Sequence, residues 1–295
     1  MEERRFGPLH FLPGDRNGKY PHCHSVFVEG AGILIDPASS RDGLDRLAKA
    51  GDVREVWLSH WHEDHFMHLD LFEELPLRIS EEDAPPLADI ETLLDWYGLE
   101  GDAYRTYWRN ELHGKFHYRS RKPAGYLCEG RRFPSGAVAI EILATPGHTP
   151  GHLAFHFPEE GVLFLGDYDL SPFGPWYGDR YSSIDDTLAS LSRLKRMPAR
   201  VLLTGHEKGI FEEPFPENLW QKYEDVIRIR EERLIDALKE PLTLDEIARL
   251  WIVYGRSREP KEFFVFGEKA IMGKHVERLL RTAVVIRSGD RYVLT

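Results

Sequence analysis

"VREVWLSHWHEDH" (Val53–His65) joins an apolar run to six residues, His60–His65, that hold three imidazoles and two carboxylates. The run "EVWLS" reads as a buried strand, so the dense group of side chains sits at a strand end. A helix-borne zinc-protease motif requires H-E-x-x-H, with its histidines four apart on one helix face. Glu63 follows His62, but position 66 is Phe66 rather than His, and that reading fails. A loop site remains, and it needs further ligands from elsewhere in the chain.

They occur at the ends of other apolar runs. "EILATPGH" ends at His148, "VLFLGD" at Asp167 and "RVLLTGH" at His206. Each run gives out into a glycine-containing turn and then one His or Asp. Open α/β sheets gather ligand sites just beyond strand ends, where loops converge on a rigid scaffold. With His60, His62, Asp64 and His65 this makes seven candidate ligands, five His and two Asp. Imidazole and carboxylate suit zinc, iron or manganese, whereas an all-oxygen set suits calcium or magnesium. Seven side chains exceed one tetrahedral ion. With one bridging carboxylate they suit two divalent ions about 3.5–4 Å apart.

The string His60-x-His62-x-Asp64-His65, with His148 in "PGHTPGH", Asp167 in "LGD" and His206 in "TGH", resembles the metallo-β-lactamase-fold superfamily and its glyoxalase II-like motif set. The resemblance covers roughly residues 20–210. It implies an αββα sandwich with two divalent transition-metal ions at one edge of its sheets, zinc first and iron or manganese next. It also implies that His60, His62 and His148 hold the first ion, that Asp64, His65 and His206 hold the second, and that Asp167 bridges them. The chemistry implied is hydrolysis by activated water, with Asp64 as ligand and proton acceptor and no Ser or Cys nucleophile. His68 stands where the family usually has a small residue and reads as a packing histidine. His22, His24, His152 and His156 read as structural.

Around these motifs the chain alternates strands and helices, an α/β layered pattern. "SVFVEGAGILIDPA" (Ser25–Ala38) is a predicted hairpin, and "RDGLDRLAKAG" is a helix capped at Gly51. "FMHLDLFEELP" is a predicted helix stopped by Pro76. Residues 85–130 change character to helical pieces rich in Trp and Tyr, an insert placed where this superfamily often covers its substrate. It is expected to wall the pocket over the metals. "GIFEEPFPEN" (Gly209–Asn218) is the linker candidate, dividing a catalytic domain, 1–213, from a C-terminal domain, 214–295. The latter reads helix, a capping box at Thr243 and Glu246, helix, then a hairpin at Ser288–Asp290. That order resembles a winged helix, found in a superfamily branch that includes endoribonucleases.

Composition bounds the function. The chain has 295 residues and a formal net charge of −11. From Pro214 onward there are 15 Lys+Arg against 14 Asp+Glu, so the excess acid lies in residues 1–213. From Arg256 onward the balance is 9 against 5, too weak a basic track for a dedicated nucleic-acid binder. The substrate is therefore expected to be a small molecule bearing an ester, thioester, lactone or related bond. Competing readings are a nuclease guided by the winged helix, a non-catalytic regulatory or scaffold protein, and a mononuclear iron persulfide dioxygenase. The complete ligand set disfavours the scaffold. "GDYDLSPFGPWYGDRYSS", from Gly166 onward, lacks the arginine-rich stretch of the dioxygenase branch, and His62 departs from the flavodiiron branch, which has Glu there. Only Cys23 and Cys128 are present, no disulfide framework, which together with the absence of a signal peptide points to a cytoplasmic protein. No apolar run approaches a membrane span. The C-terminal domain is expected to pack or to form a homodimer.

Overall fold

The computed structural model describes residues 1–130, 132–135 and 138–295. Its first sheet, in spatial order, is β1 (Arg4–Phe6), β2 (Leu9–Leu12), β3 (Ser25–Val28), β4 (Ile33–Ile35), β5 (Glu55–Trp57), β6 (Leu77–Ile79) and β7 (Gly125–Tyr126). The second is β13 (Ile210–Glu212), β12 (Val201–Leu203), β11 (Val162–Phe164), β10 (Leu153–Phe157), β9 (Val138–Ala144) and β8 (Arg132–Ser135). Side chains alternate across β9, so Val138, Ile140 and Ile142 meet Val26, Ile35 and Trp57 of the first sheet in one apolar layer. Outside the first sheet lie α1 (Arg41–Ala50), α2 (Pro85–Ala88), α3 (Ile90–Trp96) and α4 (Asp102–Gly114). Outside the second lie α5 (Ile184–Leu194) and the long α6 (Leu219–Ala237). This is an αββα sandwich.

Local signals in the sequence account for the helix ends. Gly51 caps α1 in the left-handed conformation, φ 75°. Ser183 Oγ accepts the Asp186 N–H at the start of α5. The predicted helix at "FMHLDLFEELP" does not form. Only Leu69–Phe72 makes a 3₁₀ turn; the backbone closes i→i−3 bonds, Leu69 N–H to Phe66 O (2.9 Å), Leu71 N–H to His68 O (3.1 Å) and Leu75 N–H to Phe72 O (3.1 Å), in place of an i→i−4 ladder. Phe66, Leu69 and Phe72 are buried by successive turns rather than by a helix face. The β1–β2 hairpin has no counterpart in the predicted elements, and β13 lies inside the predicted linker, pairing with β12 at the sheet edge.

After residues 213–218 come α6, β14 (Leu242–Thr243), α7 (Leu244–Ala248), α8 (Lys261–Arg281), β15 (Val285–Ser288) and β16 (Arg291–Leu294), the three strands ordered β14-β16-β15. The capping box forms: Glu246 N donates to Thr243 Oγ1 at 3.2 Å, and Thr243 N donates to Glu246 Oε2 at 2.8 Å. This region has its own apolar core around Ile247, Ile271 and Val276, which Tyr177 and Ile184 join. Among the described residues, no helix is long and apolar enough to cross a membrane.

Candidate metal centre

Four of the seven predicted ligands lie three or four residues beyond a strand, His60 after β5, His148 after β9, Asp167 after β11 and His206 after β12, and His62, Asp64 and His65 follow His60 in the same loop. The pairings make β9, β11 and β12 run in one direction, so their ends deliver side chains to one edge. The loops close tightly there. A Cβ on Gly205 would stand 2.8 Å from His65 Cε1, and one on Gly147 would stand 2.2 Å from Thr187 N, so larger residues would displace the ligand loops.

All seven side chains meet, in two groups. His60 Nε2, His62 Nδ1 and His148 Nε2 lie 2.9–3.1 Å from one another. His206 Nε2 lies 3.3 Å from His65 Nε2 and 3.2 Å from Asp64 Oδ2. Asp167 stands between the groups. Its Oδ2 is 3.2 Å from His148 Nε2, while its Oδ1 is 3.0 Å from His206 Nε2 and 3.3 Å from His65 Nε2.

The tautomers follow from what holds the outer nitrogens. His62 Nε2–H donates to Asp179 Oδ2 (2.7 Å) and His148 Nδ1–H to Trp176 O (2.9 Å). His60 Nδ1–H donates to Ser59 Oγ (2.9 Å), whose own hydroxyl donates to Asp36 Oδ2. His65 Nδ1–H donates to Asp36 Oδ2 (2.9 Å), and His206 Nδ1–H to Gly18 O (2.8 Å). A neutral imidazole has one N–H. All five inner nitrogens therefore present lone pairs to one another and to carboxylates, a set that repels itself unless cations lie between. The donor set thus fits a pair of divalent ions, and the outer partners are the type that orient metal-binding histidines.

Burial disfavours charge on His62, but Asp179 outweighs it and lifts the pKa to about 9. Burial likewise opposes charge on His206, and Asp167 and Asp64 again prevail, raising it well above the usual imidazole range. His148 is lowered to about 4, mainly by burial. Asp167 resists the upward push of burial because His206 and His148 hold it ionised.

Several participants are not evident in the sequence reading. Asp179, Asp36 and Ser59 orient imidazoles, and buried Cys23 places Sγ 3.5 Å from His65 Nδ1. Burial pushes the Cys23 thiol up, and it donates to His24 O. His152 accepts the Asp167 N–H at 3.0 Å, holding that ligand's backbone. His24 accepts the Gly14 N–H, and His156 bridges Glu141 and Pro198 O. His68 faces Arg41 rather than the ligands.

Above the ligands is a cavity of about 390 Å³. The insert contributes Tyr97, Leu99 and Trp108, and the C-terminal region contributes Tyr254 and the first turns of α8. Glu63 accepts hydrogen bonds from Tyr20 and Tyr97 on this wall.

The metallo-beta-lactamase superfamily model matches residues 21–206. A hydroxyacylglutathione hydrolase of Rhizobium meliloti (strain 1021) is 33% identical over 227 residues, covering 74% of this chain and 75% of that protein. That of Fuscovulum blasticum is 28% identical over 184 residues, and the match spans 61% of this chain but only 59% of the relative's length. A metallo-beta-lactamase family protein of Thermus thermophilus superposes with a TM-score of 0.73 at 28% identity, over 98% of this chain and 99% of that one. A beta-lactamase domain protein of Burkholderia ambifaria shares the fold at 18% identity, with a TM-score of 0.70 and coverage of 100% and 94%. By its ligand motifs, its sandwich and these matches, the chain belongs to the metallo-beta-lactamase superfamily.

Proposed function

We propose that this protein is a dinuclear metal-dependent hydrolase acting on a small-molecule ester, thioester, lactone or related bond. The observation that carries this reading is the convergence of five imidazoles, each tied at its outer nitrogen, on Asp167, whose two oxygens face the two groups. His60, His62 and His148 would hold one ion, Asp64, His65 and His206 the other, and Asp167 both. Zinc suits five imidazoles and two carboxylates best, with iron or manganese as alternatives. Bound divalent ions supply Lewis acidity toward the scissile carbonyl and lower the pKa of coordinated water from about 15.7 toward 7.

The chain's own groups supply the rest. Burial pushes Asp64 up, but His206 and His65 more than compensate and keep it ionised, ready to take a proton from the attacking water. Tyr20, Glu63 and Tyr97 form a fixed hydrogen-bonded wall beside it, and aromatic rings exclude bulk solvent. The relatives named as hydroxyacylglutathione hydrolases support a thioester among the candidate bonds. We assign residues 1–213 to the catalytic domain and 214–295 to a winged-helix-like module. In DNA-binding modules of that kind the recognition helix is free to enter a groove. Here Phe263 and Phe266 of α8 pack against the catalytic domain's core, which favours a pocket-forming role over nucleic-acid binding.

The test is elemental analysis of protein purified without added metal, followed by ester, thioester, lactone and phosphodiester panels. Two transition-metal ions per chain and carboxyl-bond hydrolysis abolished by chelators are expected. Thiol reagents should leave activity intact, since no cysteine attacks. Activity that survives metal stripping, or turnover of nucleic acid alone, refutes the proposal.

A further inference from the structure

The cavity over the ligands is walled by three segments outside the sheets, and their chemistry is one-sided. The insert supplies Leu99 and Trp108, the loop before α5 supplies Phe173, and α8 supplies Phe263, Phe264 and Phe266. The rings brace one another. Phe263 stacks on Tyr20 with centroids 6.0 Å apart and lies 6.3 Å from Trp108, while Phe264 meets Tyr254 edge-on at 4.9 Å and Phe266 meets Tyr104 at 5.8 Å. The wall is thus preorganised apolar surface, able to bind a ligand without first being ordered.

Charge on the same wall points the same way. Among the described lining residues Lys19 is the one Lys or Arg, and it is exposed. Against it stand Glu63, Asp169 and Glu207, in addition to the ligand carboxylates. Arg258 lies 5.8 Å from the ring centres of Tyr254 and Phe264 and is not part of the wall. A peptide thiol carrying two carboxylates would meet a mostly acidic lining with no bidentate cation to receive it. The volume, about 390 Å³, is at the low end of the roughly 300–1,000 Å³ of small-molecule pockets.

We propose that the substrate is a compact, uncharged ester or thioester with a bulky apolar group beside the scissile carbonyl, and not a hydroxyacyl conjugate of an anionic peptide thiol. This rests on the hydrolase reading above. Each methylene moved from water into such a wall strengthens binding about fourfold, so an added phenyl or branched alkyl group dominates selectivity. The apolar group can lie on the acyl or the thiol side, and the substrates below separate the two.

The experiment compares kcat/KM of the metal-loaded full chain on four thioesters. Two carry an apolar group: the N-acetylcysteamine thioester of 3-phenylpropanoic acid, and S-benzyl thioacetate. The references are S-acetyl-N-acetylcysteamine and S-lactoylglutathione. At least one apolar substrate is expected to exceed both references thirtyfold or more. Phe263→Ala should shrink that ratio at least fivefold, and Phe173→Ala, on a different segment, should do the same if the first variant folds poorly. S-lactoylglutathione equal to or better than both apolar substrates overturns the proposal, as does an unchanged ratio in both folded variants. Binding decides the case where no thioester turns over, an outcome that leaves the pocket assignment to be tested apart from the hydrolase reading. Quenching of tryptophan fluorescence should then show 3-phenylpropanamide binding at least tenfold more tightly than lactamide or S-methylglutathione. Equal or reversed affinities overturn the pocket assignment itself.

Discussion

Asp179→Asn is the sharpest probe of the centre, because it changes one atom in a residue that is not itself among the proposed ligands. Asp179 is buried, 3% exposed, with Oδ2 on His62 Nε2 and Oδ1 on Trp176 Nε1 at 3.2 Å. Both neighbours are N–H donors, so the carboxylate satisfies both and an amide can satisfy only one. If the Asn oxygen stays on His62, its NH₂ faces the indole N–H; if it turns, His62 loses its acceptor and its fixed tautomer. Either outcome also removes the negative charge that makes the imidazole a stronger ligand. Loss of such an outer partner costs about 10–100-fold in metal affinity, and the donor clash places this variant in the upper half. That corresponds to roughly 2–2.7 kcal/mol at about 1.4 kcal/mol per tenfold. The loss should fall on one ion, because Asp179 touches the His60, His62 and His148 group and not the other. The assay is titration of the metal-free protein with zinc against a chromophoric chelator, resolving two binding steps. Two steps unchanged from the wild type, or both weakened equally, would refute the reasoning.

Asp167→Ala should weaken both binding steps together, since its two oxygens face the two groups; loss of one ion alone would contradict a bridging role. Arg230→Met should destabilise by about 2–4 kcal/mol in urea unfolding, because the buried guanidinium donates to Pro175 O at 3.1 Å and Tyr177 Oη at 3.2 Å, and an orphaned buried group costs about 1–3 kcal/mol. It should also lower metal affinity, since the same loop supplies the Trp176 carbonyl to His148; a loss below about 1 kcal/mol would not fit. Asp83 gives the pH prediction. It is fully buried, and that burial raises its pKa from 3.8 to about 7 although Thr149 and Gly151 donate to it. The folded state thus holds this proton more tightly than the unfolded chain, so its contribution is present below about pH 4 and is lost as pH rises to about 7, by at most about 4 kcal/mol. Asp83→Asn should remove that fall, and parallel stability profiles for the two proteins between pH 4 and 8 would refute it.

The proposed ligands were legible in the sequence because each stands at, or within a few residues of, the end of an apolar run, and strand ends are local features. His148, Asp167 and His206 need no knowledge of the fold to be picked out. Asp179 is different. It lies in an aperiodic loop, 117 positions from the His62 it orients, and no spacing rule connects them. Asp36 closes a strand that reads as ordinary hairpin. The run Phe263-Phe264-Val265-Phe266 carries no sign in the sequence of what it faces: Phe263 and Phe266 pack against the core outside the first sheet, and all three rings line the cavity. The absent helix at Phe66–Leu75 failed for a related reason. Its apolar spacing was real, but the backbone closes into separate i→i−3 turns, Leu69 N–H on Phe66 O and Leu75 N–H on Phe72 O, that bury Phe66, Leu69 and Phe72 one turn at a time.

The proposed metal site and the cavity wall occupy different parts of this chain, yet they are mechanically joined. The sheets fix the ligand loops, and those loops would hold the same ions whatever lay above them. The wall comes from the N-terminal loop at Tyr20, the insert, the Phe173 turn and α8, and none of these lining residues is a proposed ligand. Two connections set its register. Glu63, between ligands His62 and Asp64, accepts from Tyr20 and Tyr97 and so ties two wall segments to the ligand loop. Arg230 of α6 holds the carbonyls of Phe173 and Pro175, whose neighbour Trp176 holds His148. A substitution on the ring faces therefore alters the shape of the cavity while the imidazoles keep their partners. A substitution at Glu63 or Arg230 moves wall and ligands together. The C-terminal region thus contributes to the cavity wall through Tyr254 and the first turns of α8, whose Phe263 and Phe266 also pack against the core outside the first sheet.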